Sequence, residues 1–71
     1  MKRTCRKYKV VLKGLPSKEV ELFSTYSSKG VLRKVALLRL ETHPLLFVRT
    51  VRGQSYTIQP YKTWRRYHDD E

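Results

Sequence analysis

The sequence predicts a small α+β domain in which an antiparallel sheet of about four strands packs against one helix. Three observations predict this fold: apolar and polar residues alternate from Lys7 to Lys13, good helix formers dominate from Lys29 to Thr42, and two strand-like segments follow Pro44. The predicted order is strand, strand, helix, strand, strand and a C-terminal tail. A chain of 71 residues can enclose one core, so we expect a single domain over residues 1–71.

The first two strands are predicted to form a hairpin. Tyr8, Val10 and Leu12 alternate with polar residues, which is the period-two pattern of a half-buried strand. Residues 14–18 contain Gly and Pro and form the turn, and residues 19–26 form the second strand. Pairing across this turn places apolar partners on one face and opposite charges on the other. The predicted pairs are Lys13 with Glu19, Leu12 with Val20, and Val10 with Leu22.

The helix is predicted to begin after Ser27 and Ser28, whose hydroxyl groups can cap its first turn. Its buried stripe comprises Val31, Val35, Leu38 and Thr42. The helix ends before Pro44, which disfavours helical backbone at the preceding residue. An alternative assigns residues 31–41 to a strand, which would give a five-stranded small β-barrel.

Two leucines, Leu37 and Leu40, fall on the opposite side of the predicted helix from that stripe. They indicate a protein interface, either a homodimer seam or a groove for a partner. The alternative is that a wide apolar face is covered by the tails of the chain.

Residues 45–51 and 55–59 are predicted to form the last two strands, joined by a turn at 52–54. Arg49, Val51 and Gly53 share one side of the strand, and Tyr56 and Tyr61 are expected near them. This pattern is compatible with a basic aromatic surface, although Arg and Thr are also common on any strand face that points to solvent.

The charge of the chain favours a polyanionic partner. Sixteen Lys and Arg stand against six Asp and Glu, which gives a formal net charge of +10. Three of the acids are the final residues 69–71, so the body without them has 16 basic and 3 acidic residues, or +13. Self-repulsion of this size destabilises a compact chain unless an anion binds or salt screens it. The charge therefore predicts nucleic acid as the partner; an acidic protein surface is the alternative.

The sequence predicts neither an enzyme nor a cofactor-binding protein. Cys5, His43 and His68 are too dispersed for a metal site, and Glu19 and Glu21 have the spacing of a strand surface rather than of an acid–base pair. We therefore expect no catalytic residue, no metal, no cofactor and no small-molecule substrate. The single cysteine indicates a reducing, intracellular location, cytoplasmic or associated with the nucleoid. No apolar run has the length of about 18 residues that a membrane span requires.

Nucleic-acid contacts are predicted in a flexible basic arm over residues 1–7, on one side of the helix, and in a basic aromatic tail over residues 60–71 with an acidic end. Cations would meet phosphates and the aromatic rings of the tail would stack on bases. In the alternative for the tail, it forms a helix that docks its aromatic face on the sheet, with Trp64 in the core. The predicted contact residues are Lys2, Arg3, Arg6, Lys7, Arg33, Tyr61, Trp64, Arg65, Arg66 and Tyr67.

Three functions are therefore compatible with the sequence. The first is a non-enzymatic nucleic-acid-binding protein with contacts that tolerate any base sequence. The second is a small regulator or inhibitor, of the kind encoded by viruses or plasmids, that docks on a larger host protein or on an enzyme acting on nucleic acid. The third is a component of a ribonucleoprotein.

Overall fold

The computed structural model describes residues 7–14, 18–52 and 55–68 of the chain. They form four strands and two helices: β1 (Lys7–Gly14), β2 (Lys18–Thr25), α1 (Ser28–Leu37), β3 (Leu46–Arg52), β4 (Ser55–Pro60) and α2 (Tyr61–His68). The predicted α+β class and element order are confirmed. The barrel alternative is wrong, because residues 31–37 are helical. Lys7, which the predicted arm includes, opens β1, and the other residues of that arm, 1–6, lie outside the described part.

The four strands form one open antiparallel sheet in the order β2-β1-β3-β4. Each hairpin is followed by a helix, and β1 and β3 join the two ββα units at the centre of the sheet. Helix α1 contacts β1 and β2, and α2 contacts β3 and β4. Side chains from both helices meet one face of the sheet in a single core. The two helices therefore cover the same face.

The core explains why these segments adopt their structures. Alternate residues of β1 and β3 point to the helices, and the buried face of each helix points back. This leaves the lysines of β1 on the opposite face. The buried core residues are Tyr8, Val10, Val31, Val35, Leu46, Val48, Tyr61 and Trp64.

The register of the first hairpin was predicted correctly at its turn end only. Lys13 pairs with Glu19 and Leu12 with Val20, but Val10 pairs with Phe23 rather than with Leu22. A β-bulge between Val10 and Val11 leaves one extra residue in β2. The bulge allows Leu22 and Phe23, neighbours in sequence, both to pack against the core.

Helix α1 begins as predicted. The Oγ of Ser27 accepts a hydrogen bond from the Gly30 backbone N–H at 2.9 Å, which satisfies one donor of the first turn. Gly30 is needed there for space, since a Cβ at this position would lie 2.5 Å from Thr25 Oγ1.

The predicted end of α1 at Thr42 is wrong, because the helix stops at Leu37. Leu40 N–H donates to the Val35 carbonyl and Arg39 N–H donates to the Ala36 carbonyl, which is the pattern of a Schellman motif. Arg39 occupies the left-handed position of the motif with φ 57°. As the motif reverses the chain, Leu40 packs against the core, and Leu38 and Thr42 are exposed rather than part of a buried stripe.

Candidate nucleic-acid interface

The aromatic residues of the C-terminal tail mostly belong to the core. Tyr61 and Trp64 are buried on the face of α2 that packs on the sheet. The Tyr8 ring meets Trp64 edge-on at 5.5 Å between centroids, and the His68 ring stacks on Trp64 at 4.5 Å. The prediction that Tyr61 and Trp64 stack on bases is therefore wrong, because their rings are enclosed by protein. The alternative, with Trp64 in the core, is confirmed.

Tyr67 differs from these two rings because of the helical period. Tyr61, Trp64 and His68 lie within one narrow stripe of α2, whereas Tyr67 is rotated by roughly a quarter turn from it. Its side chain is 72% exposed. Of the three predicted stacking residues, Tyr67 alone presents its ring to solvent.

The two helices form a strongly cationic layer on one side of the molecule. Neither helix contains an acidic residue, and all six of their Lys and Arg side chains are exposed. Lys29 and Arg33 lie one turn apart and share a face, while Lys34 Nζ lies 5.7 Å from the Phe23 ring centroid. We call this surface the helix layer. Its cations are Lys29, Arg33, Lys34, Lys62, Arg65 and Arg66, which include three of the predicted contact residues.

The other side of the molecule is the sheet face opposite the helices, which no described element covers. We call it the open sheet face. The strand registers arrange its residues in rows across the four strands, from β2 through β1 and β3 to β4. One row contains Lys7, Val51 and Tyr56, with Tyr26 beside Lys7. The next row contains Ser24, Lys9, Arg49 and Ile58. A third contains Glu21, Val11, Phe47 and Pro60.

Cations and aromatic rings alternate on the open sheet face. The cationic group of Lys7 lies 5.7 Å from the Tyr26 ring centroid, and that of Arg49 lies 5.6 Å from the Tyr56 centroid. Lys13 lies 5.4 Å from the Phe47 centroid. The ring faces attract the cations through their quadrupoles, so each cation is held beside a flat apolar surface.

Two carboxylates of β2 share this face with the cations. Glu21 lies 3.9 Å from Lys9, and Glu19 forms a salt bridge with Arg49 two strands away. The salt bridge between Glu19 and Arg49 passes over β1 at the position of Val11. The Val11 side chain is 1% exposed. Val11 is thus buried outside the main core, beneath charged side chains that lie flat over the sheet.

The structure places seven of the ten predicted contact residues in three parts of the molecule. Lys7 lies on the open sheet face; Arg33, Arg65, Arg66 and Tyr67 lie on the helix layer; Tyr61 and Trp64 lie in the core. Lys2, Arg3 and Arg6 lie outside the described residues, as does the acidic end at 69–71.

The predicted pair of interface leucines is also divided. Leu37 is 77% exposed at the C-terminal end of α1. Leu40 is partly buried and packs against the core, because it follows the left-handed residue that ends the helix. The leucine that accompanies Leu37 at the surface is Leu38, which the longer predicted helix had assigned to the buried stripe.

Several residues of the open sheet face were not predicted as contacts, among them Lys9, Lys13, Tyr26 and Phe47. For the weak basic aromatic signal around Arg49 and Val51, the register places Tyr56 on the same face, whereas Tyr61 lies in the core. The alternation in β1 also placed its lysines on one side. The sequence does not reveal the strand order, which places β2 and β3 on either side of β1.

The two histidines have structural contacts in this fold. His43 Nδ1 accepts a hydrogen bond from the Leu45 backbone N–H at 3.1 Å, and His68 Nδ1 lies 3.0 Å from the Trp64 carbonyl. Within residues 7–14, 18–52 and 55–68, no three His, Cys, Asp or Glu side chains are close enough to hold a metal ion. Neither described helix is long and apolar enough to cross a membrane.

Comparison with known proteins assigns no relative. No protein-family model, no curated protein and no solved structure matches this chain. A fold does not by itself specify a function, so the residues of the two cationic surfaces carry the functional conclusion.

Proposed function

We propose that the protein is a non-enzymatic nucleic-acid-binding module that holds phosphates largely without regard to base sequence. The observation that carries this proposal is the distribution of charge. The helix layer has six exposed cations and no acidic residue on either helix. A surface of one sign attracts a polyanion over distances of about a Debye length and accelerates its association.

Phosphate contact is the role that suits the helix layer. Arg33 and Arg66 are exposed on different helices, and the guanidinium group can donate two parallel hydrogen bonds to one phosphate. The two described helices contain neither Asn nor Gln, the side chains that read adenine edges, and their cations are assigned here to phosphates rather than to bases. Binding is therefore expected to tolerate changes of base sequence.

The proposal is tested by fluorescence anisotropy with labelled single-stranded and duplex oligonucleotides over a range of salt concentrations. We expect log K to fall linearly with log salt. The double variant Arg33→Gln/Arg66→Gln should weaken binding to every sequence and reduce the salt slope by about one per lost contact. Lys18→Gln, which removes one exposed cation at the start of β2 outside both surfaces, is the control, and its effect is compared with that of each Arg→Gln single variant. Absence of binding to either oligonucleotide at low salt would refute the proposal.

A second candidate function is docking on a larger protein as a regulator or inhibitor. It is favoured by the exposure of Leu37 and Leu38 at the end of α1, next to the helix-layer cations. We would capture partners from a nuclease-treated lysate with the wild type and with Leu37→Ser/Leu38→Ser. A protein retained by the wild type and lost by the variant supports docking. Loss of all partners on nuclease treatment supports nucleic acid.

A further inference from the structure

We propose that one row of the open sheet face stacks the bases of single-stranded nucleic acid. This inference rests on the proposed function and adds the class of nucleic acid and the position of its bases. The row contains Lys7, Val51 and Tyr56, with Tyr26 beside Lys7 just after β2, and we call it the tyrosine row. Tyr26 is 64% exposed and Tyr56 is 63% exposed.

The two tyrosines lie at opposite edges of the sheet. Tyr26 directly follows β2 beside Lys7, and Tyr56 pairs with Val51 on the outer strand β4. Three strand spacings of about 4.8 Å separate the edges, or roughly 14 Å. The tyrosine row therefore offers two separate ring surfaces, which suits two bases of one extended strand rather than one base held between two rings.

The cations for the phosphates lie between and beside these rings. Lys9 and Arg49 are directly opposite each other on the central strands β1 and β3, in the row next to the tyrosines. Like charges at directly opposed positions destabilise a sheet. Glu21 and Glu19 relieve this repulsion from the far end of the face, each through a salt bridge. A phosphate over the same two cations would provide the same relief.

Charge complementarity favours single-stranded nucleic acid, rather than a second copy of the chain, on the open sheet face. A copy docked on this face would bring four cations, Lys7, Lys9, Lys13 and Arg49, against the same four, with only Glu19 and Glu21 to compensate them. A single strand brings phosphates to the cations and base faces to the rings. Aromatic stacking accepts any base because every base has a π face, which agrees with binding that tolerates any sequence.

The expected preference for single-stranded over duplex nucleic acid follows from the exposure of the base faces. In a duplex the base faces are already stacked on one another, so rings on a sheet surface reach only the phosphate backbone. A single strand presents its base faces freely. The tyrosine row should therefore increase the affinity for a single strand and leave the affinity for a duplex, which is bound through cations, unchanged.

The test compares Tyr26→Ala/Tyr56→Ala with the wild type, by anisotropy with a labelled oligothymidylate strand and a duplex of equal length at one salt concentration. Loss of one stacked base should lower single-strand affinity about tenfold, and the double variant should lose more, with duplex affinity unchanged within about twofold. Leu45→Ala removes an exposed apolar side chain in the loop before β3, outside both surfaces, and is the control. Tyr26→Phe/Tyr56→Phe keeps both rings and should keep the affinity.

The outcomes separate this inference from the proposed function. If the wild type binds neither oligonucleotide, both fail. If the alanine variant binds the single strand as tightly as the wild type, or loses duplex affinity equally, the tyrosine row is not a stacking site while the proposed function stands. Sedimentation should show the same mass for wild type and variant. A wild-type dimer that the variant dissociates would overturn the inference in favour of a contact between copies.

Discussion

Replacement of Gly30 by Ala should destabilise the protein, although the same change stabilises most helices. Gly30 lies in the first turn of α1, where Ala gains about 1 kcal/mol over Gly in helix propensity. Here the added Cβ would lie 2.5 Å from Thr25 Oγ1 and 3.1 Å from Ser27 Oγ. The first distance is shorter than any ordinary contact, so one of the two groups must move.

The expected decrease in the free energy of unfolding follows from the hydrogen bonds that such a movement breaks. Thr25 Oγ1 accepts the Ser27 backbone N–H, and Ser27 Oγ caps the helix at Gly30 N–H. Loss of the first bond costs about 1 kcal/mol, and displacement of the cap costs about another 1 kcal/mol. Overlap with the neighbouring atoms adds to this. After the gain in propensity, we expect a net loss of about 1–2 kcal/mol.

The assay is urea and thermal unfolding followed by the fluorescence of Trp64, the single tryptophan, which is fully buried. A loss of this size should lower Tm by about 10 °C in a domain of this length. Thr25→Ala removes the closest atom, so Gly30→Ala should be neutral or stabilising in that background. A Gly30→Ala variant that is more stable than the wild type would refute the packing at the start of α1.

Three further predictions concern the helix end, the core and the open sheet face. Arg39→Gly should raise the free energy of unfolding by about 1 kcal/mol, because Arg39 has φ 57°, whereas Arg39→Ala should not; equal effects would point to charge instead. Trp64→Ala should cost about 3–5 kcal/mol, and circular dichroism should show a largely unfolded chain; a folded variant would contradict the core assignment. Glu19→Gln should raise affinity for nucleic acid about two- to fivefold by releasing Arg49, and more than Glu41→Gln, which makes the same charge change in the loop after α1.

The local patterns of the sequence predicted the elements well, and the differences lie where one residue interrupts a pattern. Alternation in β1 and β2 determined the hairpin as far as Leu12 and Val20. Beyond this pair, the sequence does not reveal the β-bulge, because the extra residue, Leu22, is itself apolar. The helix was extended to Thr42 because its residues remain good helix formers, and no glycine marks the Schellman motif that Arg39 forms instead.

The candidate site was less predictable because it depends on which elements become neighbours. The spacing of Tyr61, Trp64 and Tyr67 fits both a contact surface and a packing face, and only the position of α2 against β3 and β4 decides between them. The tyrosine row joins residues 7 and 26 of the first hairpin region to residues 51 and 56 of the second hairpin, which is distant in sequence. These residues share a row because the strand order is β2-β1-β3-β4, and the composition of the chain does not reveal that order.

The central claim, that the cationic surfaces of this fold bind nucleic acid, is tested most directly by amide chemical-shift mapping of the wild type. A single-stranded oligonucleotide would be titrated into ¹⁵N-labelled protein at constant salt. We predict saturable shifts at exposed residues of α1 and α2 around Arg33 and Arg66, and along the tyrosine row from Tyr26 to Tyr56, with little change around Lys18. Spectra that remain unchanged at low salt, or shifts confined to Leu37 and Leu38 at the end of α1, would contradict the claim.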